Sequence, residues 1–168
     1  QTAAIAISLE EAMKPSFKKY AAQVVKNAEV LAKELGTVSE NHLILLSLTD
    51  YGKGMGYQGQ YALETAGITV NKNTIPKDPV SPFYPSGVRM GTPALTTRGM
   101  KEKDMIKIAK WIKLALEEIR GLDIPDEQKE RAPFIKEVKK KLAKNKNLLK
   151  IRKEIETFTA KFPVPGIQ

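Results

Sequence analysis

"NKNTIPKDPVSPFYPSGVRMGTPALTTRG" runs from Asn71 to Gly99 and follows neither a helical nor a strand period for long. It holds five prolines, three glycines and two arginines, with no run of charge. Loops of this length without secondary structure of their own are uncommon in compact domains, and are often functional or disordered. Disorder fits poorly, because Ile75, Phe83, Tyr84, Val88, Met90 and Leu95 give apolar anchors that disordered segments lack. Within the stretch, Ser86 to Thr92 ("SGVRMGT") alternates as a strand does, with Val88 and Met90 on one side and Arg89 on the other. Gly99 closes the segment.

Upstream, "ITV" at Ile68–Val70 reads as a strand leading into the stretch, and Gln58 to Ala66 as a short helix stopped by Gly67. "TDYGKGMGYQG" from Thr49 is glycine-rich but lacks the lysine–serine ending of a phosphate-cradling loop, so it reads as a turn. "HLILLSL" at His42–Leu48 is a short apolar run between polar residues, the mark of a buried strand. Ala3 to Leu35 is helical: Phe17, Ala21, Val24, Ala28, Leu31 and Leu35 step by four and three along one stripe. Pro15 kinks or divides that helix, and Gly36 ends it.

Downstream, Lys101 to Arg120 is a helix burying Met105, Ile108, Ile112, Ala115, Leu116 and Ile119. Two more helices follow, parting near Asn145–Asn147. Few short strands among long helices predict an α+β fold: a small, mostly antiparallel sheet covered by helices on one face. Its expected divisions are a helix over residues 1–36, a small α+β domain over 37–130, and basic helices over 131–168 packed on that domain.

The 168 residues suit one domain, and 42% hydrophobic with 28% charged residues is ordinary for a globular chain. No apolar run is long enough to span a bilayer. The absence of cysteine excludes disulfides and thiolate chemistry and favours a cytoplasmic setting; a single histidine, His42, excludes a multi-histidine metal site within the chain. The chain starts at Gln1 rather than Met, the expectation being a piece of something longer. The net charge of +9 is localised: residues 131–168 carry 11 Lys/Arg against 3 Asp/Glu, leaving +1 for the rest. Such a basic tail can serve nucleic acid or a protein partner. Ile135, Val138, Leu142, Leu148, Ile151, Ile155, Phe158 and Phe162 recur at helical spacing between its lysines, however. That pattern favours packed amphipathic helices with lysine stems outward, and argues against nucleic acid as a partner.

"AGITVNKNTIPKDPVSPFYPSGVRMGTPALTTRGMKEKDM" resembles the C-terminal region of the serine hydroxymethyltransferase (glycine hydroxymethyltransferase) family. "EEAMKPSFKKYAAQVVKNAEVLAKEL" is similar to the helix joining that family's large and small domains, "ENHLILLSL" to its next strand, and "KFPVPG" to its C-terminal end. The resemblance implies the small C-terminal domain of a fold-type I pyridoxal-phosphate enzyme of one-carbon metabolism. Such an enzyme interconverts serine and glycine with tetrahydrofolate as co-substrate, and works as a homodimer or homotetramer without a membrane. It also implies that the cofactor lysine, the aspartate facing the pyridine nitrogen and the phosphate-binding loop lie outside this chain, which alone is expected to be inactive. The chain departs from the family before "ENH", where a longer strand-and-glycine segment shrinks to "GTVS", leaving one edge strand open. Pro85 stands where threonine is commoner, and the basic tail is longer than usual.

By the resemblance, Arg89 holds the substrate carboxylate, a task suited to a guanidinium fork that donates two parallel hydrogen bonds. The other reading is a surface arginine paired within its own fold. Asn73 and the Ser81-Pro82-Phe83 turn match positions that contact the pteridine of tetrahydrofolate: an amide offers donor and acceptor, a phenyl ring an apolar face. Their alternatives are an Asn bonded to its own backbone and a Phe in the core. His42 and Arg98 read as structural, Arg98 as an anchor for the loop, and Asp50 and Asp78 as turn residues.

Overall fold

The structure, a computed structural model, describes residues 1–166; the last two residues of the expected 131–168 segment lie outside that range. The N-terminal helical run is divided at Lys14 into α1 (Thr2–Met13) and α2 (Pro15–Glu34). Lys14 is extended, as a residue preceding proline prefers, and Pro15 occupies the first turn of α2, where a missing N–H costs nothing. Helix α1 buries no residue, and Ile5, Ile7, Leu9 and Met13 are exposed on it. Helix α2 buries Val24, Asn27, Ala28, Leu31 and Ala32. It ends where Gly36 turns left-handed at φ +78°, letting Thr37 N donate to Ala32 O at 2.9 Å.

β1 (Leu43–Ser47), β2 (Asn71–Asn73) and β3 (Gly87–Gly91) form a three-stranded antiparallel sheet in the order β1-β3-β2. Leu45 pairs with Arg89 and Arg89 with Asn71, while Leu46 pairs with Val88 and Val88 with Lys72. Alternation then sorts the side chains. Ile44, Leu46, Val88 and Met90 lie buried on one face. Leu43, Leu45, Ser47, Arg89, Asn71 and Asn73 share the other, which is open or only half-buried. β1 therefore alternates rather than being buried throughout, correcting the reading of "HLILLSL" as a wholly internal strand.

The expected strand at Ile68–Val70 is not formed; the ladder begins at Asn71, because only residues 71–73 face Gly87–Arg89. Val70 is instead a core residue, 3% exposed. The shortened segment before β1 supplies no strand. Its side chains satisfy the strand's outer margin: Ser39 Oγ donates to Leu43 O at 2.6 Å, Thr37 Oγ1 to Leu45 O at 3.4 Å, and Asn41 Oδ1 accepts from Leu43 N at 2.7 Å. On the opposite margin, Lys72 N donates to Gln60 Oε1 at 3.0 Å.

α3 (Gly56–Thr65), α4 (Pro93–Thr97), α5 (Glu102–Glu117), α6 (Gln128–Ala143) and α7 (Lys146–Thr159) complete the described elements. Helix α5 buries Met105, Ile108, Ile112, Ala115 and Leu116, which its periodicity marked, together with Trp111, and packs on α2; it ends before the expected Arg120, so the buried Ile119 lies just beyond it. Ile135, Val138 and Leu142 of α6 and Leu148, Ile151 and Ile155 of α7 join the same buried cluster or its margin, with the tail helices packed on α3 and α5. Each large aliphatic side chain so buried contributes about 1.5–3 kcal/mol. Asn145 starts α7 by accepting from Asn147 N and Leu148 N. The short α4, not expected from the sequence, is tied to α2 by a buried polar network. Thr92 Oγ1 donates to Val24 O at 2.8 Å, and Asn27 Nδ2 to Thr96 Oγ1 at 2.9 Å and Met100 O at 3.0 Å.

Candidate substrate-binding face

The four residues Ser86-Gly87-Val88-Arg89 each do something different. Ser86 is fully buried and its N and Oγ both donate to Asp78, at 2.9 and 2.7 Å. Gly87 opens β3, squeezed between its neighbours: a Cβ there would stand 2.5 Å from Ile75 Cγ2 and 2.9 Å from Leu46 O, so only glycine fits. Val88 enters the core at 0% exposure. Arg89, by alternation, rises from the middle of the central strand onto the open face, between Leu45 and Asn71.

Arg89 is exposed, and among the described residues it forms neither an ion pair nor a side-chain hydrogen bond. The reading in which it pairs within its own fold finds no partner here. Its guanidinium is free to meet an anion arriving at the open face. Asn73 lies on the same face two residues along β2 from Asn71, opposite Gly87. Its Nδ2 donates to Thr74 O at 2.7 Å, the local backbone bond expected of a turn asparagine.

The Ser81-Pro82-Phe83 turn stands apart. Tyr84 N donates to Ser81 O at 2.8 Å, Ser81 Oγ accepts from Phe83 N at 3.4 Å, and Phe83 is 80% exposed, so it is not a core residue. Ser81 and Phe83 border a depression of about 410 Å³ completed by Tyr57, Tyr84, Gln128 and Arg131; Arg89 and Asn73 are not part of it. Arg89 and Asn73 thus share one sheet face, and the β2–β3 loop carries the turn that borders the depression.

Asp78, read from sequence as a turn residue, is the centre of that loop. Oδ2 accepts from Ile75 N at 3.2 Å and Ser86 N at 2.9 Å; Oδ1 accepts from Val80 N at 3.2 Å and Ser86 Oγ at 2.7 Å. Burial raises its pKa, but the hydrogen bonds from Ser86, Ile75 and Val80 together outweigh burial and hold the carboxyl below its ordinary value. The sequence signal was an Asp followed by a Ser eight residues on, which has no periodic signature. Arg98 anchors a different element from the one expected: Nε donates to Phe162 O at 2.6 Å and Nη2 to Thr159 O at 2.8 Å, clamping the end of α7. His42 is exposed, and its carbonyl accepts from Thr92 N at 3.3 Å.

Amides of the glycine-rich loop are engaged within the chain. Gly54 N is donated to Ser86 Oγ at 3.1 Å and Gly56 N to Pro85 O at 2.8 Å. The space above Gly52 and Gly54 is filled by Asp123 and Ile124.

Fold and face together define an α+β domain that presents, from the central strand of an open sheet, an arginine unpaired among the described residues. Residues 1–112 match the family model for serine hydroxymethyltransferase. The chain belongs to the serine hydroxymethyltransferase family. It is 50% identical over 118 residues to the serine hydroxymethyltransferase of Methanospirillum hungatei, covering 66% of this chain and 28% of that protein. It is 44% identical over 138 residues to that of Coxiella burnetii, covering 77% and 33%. With the cytosolic serine hydroxymethyltransferase of Oryctolagus cuniculus, a 177-residue alignment at 42% identity covers 98% of the chain and 36% of the relative. The chain therefore spans about a third of the length of the curated relatives it matches. No described helix is long and apolar enough to cross a membrane.

Proposed function

We propose that this chain is the substrate-facing small domain of a pyridoxal-phosphate-dependent serine hydroxymethyltransferase. The whole enzyme interconverts serine and glycine with tetrahydrofolate as one-carbon acceptor. The observation that carries the reading is Arg89, exposed and unpaired among the described residues on the open face of the central strand. Ladders on both sides fix the backbone of Arg89 in height, and its guanidinium offers a planar fork to a carboxylate.

Asn73 keeps its Oδ1 and one N–H after bonding Thr74 O, enough to meet a heterocycle edge with an acceptor and a donor. The exposed Phe83, with Ser81 and Pro82, offers an apolar surface to the same co-substrate. The residues present do not form a cradle for the cofactor, since the amides of the glycine loop are already donated within the chain. Its lysine and phosphate site belong, in this reading, to the rest of the enzyme. Assembly as a homodimer or homotetramer is part of the same proposal, as is a cytoplasmic location, supported by the cytosolic relative.

The test is made in the full-length enzyme. Arg89→Lys should be nearly as damaging as Arg89→Ala, because one ammonium cannot reproduce a two-bond fork. A lost charge-assisted pair in a desolvated site costs on the order of 2–5 kcal/mol, roughly two to three decades in serine affinity. Cofactor binding and melting temperature should be retained. Unchanged serine affinity, or a collapse in melting temperature with affinity intact, would show a structural residue.

A further inference from the structure

We propose that Asp78, acting through Ser86, is a positioning residue that fixes the Ser81–Phe83 turn for the one-carbon acceptor without setting the placement of Arg89. This rests on the reading of that turn as a folate contact.

Asp78 accepts hydrogen bonds from both ends of the loop that carries the turn: Ile75 N on the β2 side, Ser86 N and Oγ on the β3 side, and Val80 N between them. Ser86 extends the connection. Its Oγ accepts from Gly54 N at 3.1 Å and its carbonyl from Leu48 N at 2.8 Å. One carboxylate thereby ties the loop to the end of β1 and the start of α3. The turn itself has few bonds of its own, chiefly Tyr84 N to Ser81 O, and its side chains are exposed. Its position is therefore inherited from Asp78.

Arg89 is held otherwise. Five residue pairs join β3 to β1 and three join it to β2, and Arg89 takes part in both sets. Freeing the loop leaves those ladders in place. A carboxylate is the group that suits the hub, since all its lone pairs accept and none of its atoms donates. Asparagine would turn an N–H toward two backbone donors, Ile75 N and Ser86 N, or toward Val80 N and the rotatable Ser86 hydroxyl, according to how its amide lies.

The test uses the full-length enzyme with Asp78→Asn, Ser86→Ala and Phe83→Ala, measuring KM for tetrahydrofolate and, separately, serine affinity without folate. Asp78→Asn should raise KM for tetrahydrofolate roughly tenfold, the effect of one or two net hydrogen bonds lost in ordering the turn, with serine affinity changed less than about threefold. Ser86→Ala, which removes a single hydroxyl, should shift the folate term in the same direction by less, and it carries the test if Asp78→Asn does not fold. Equal losses for serine and folate, or no change in the folate term, would overturn the proposal. Phe83→Ala separates the two claims. If it leaves KM for tetrahydrofolate unchanged, the folate reading fails and this inference with it. If it raises KM while Asp78→Asn does not, only the positioning role fails.

Discussion

Lys77 adopts φ +55°, in the left-handed region that side chains other than Gly and Asn rarely enter. It occupies the third position of the Ile75–Asp78 turn, with Pro76 second and Asp78 N donating to Ile75 O at 3.1 Å. That order is a type II turn, which requires positive φ there. The strain is of the order of 1 kcal/mol and is tolerated because the hydrogen bonds to the adjacent Asp78 over-determine the loop. Lys77→Asn should therefore stabilise the chain by about 0.5–1 kcal/mol, measured by urea unfolding, since Asn accepts this conformation without added unfolded-state freedom. The face on which Arg89 stands was legible by alternation, opposite to that of Val88 and Met90. Asp78 was not, because its donors arrive from residues 75, 80 and 86, a convergence that exists only once the loop is folded.

Among the elements, α2, α5, α6 and α7 were legible because each repeats an apolar stripe over several turns, so its burial follows from its own sequence. β2 was misplaced for the converse reason. "ITV" has the apolar character of a strand, yet "NKN" makes the ladder, since pairing is decided by what lies opposite on β3. Helix α4 is too short to show a period, and its position comes from the Asn27–Thr96 contact with α2. The end of α7 depends on a residue far from it in sequence. Arg98→Ala removes two charge-assisted bonds, one to the last carbonyl of α7 and one to Phe162 O just beyond it, and should cost about 1–3 kcal/mol. Arg98→Lys should recover less than half, because one ammonium does not match both carbonyls. Urea unfolding gives the total, and faster amide exchange confined to α7's final turn locates it.

Across the whole molecule, charge and packing occupy the same helices without conflict. The tail that carries most of the net charge of +9 also buries Ile135, Val138, Leu142, Leu148, Ile151 and Ile155. One of its cations, Lys139, has Nζ 4.8 Å from the Tyr61 ring, and Lys107 of α5 has Nζ 4.6 Å from the ring of Phe158 on α7. The lysines thus cover the core as stems while their charges reach water. RNA binding by this chain should be weak, insensitive to sequence and lost as salt approaches about 150 mM. Tight binding that survives such salt and disappears on replacing Lys139, Lys140 and Lys141 would show instead a dedicated nucleic-acid surface.

The hydroxyls of Thr37 and Ser39, the Asn41 carboxamide and, on the far side, Gln60 close the two margins of the sheet. A backbone margin left bare invites another chain to lie alongside it, the first step of fibrous self-association. Here polar side chains have claimed those positions. A second copy of this chain that added a strand there would first have to displace those short local bonds. Four ordinary side chains thus stand at the two outer strands of the described three-stranded sheet.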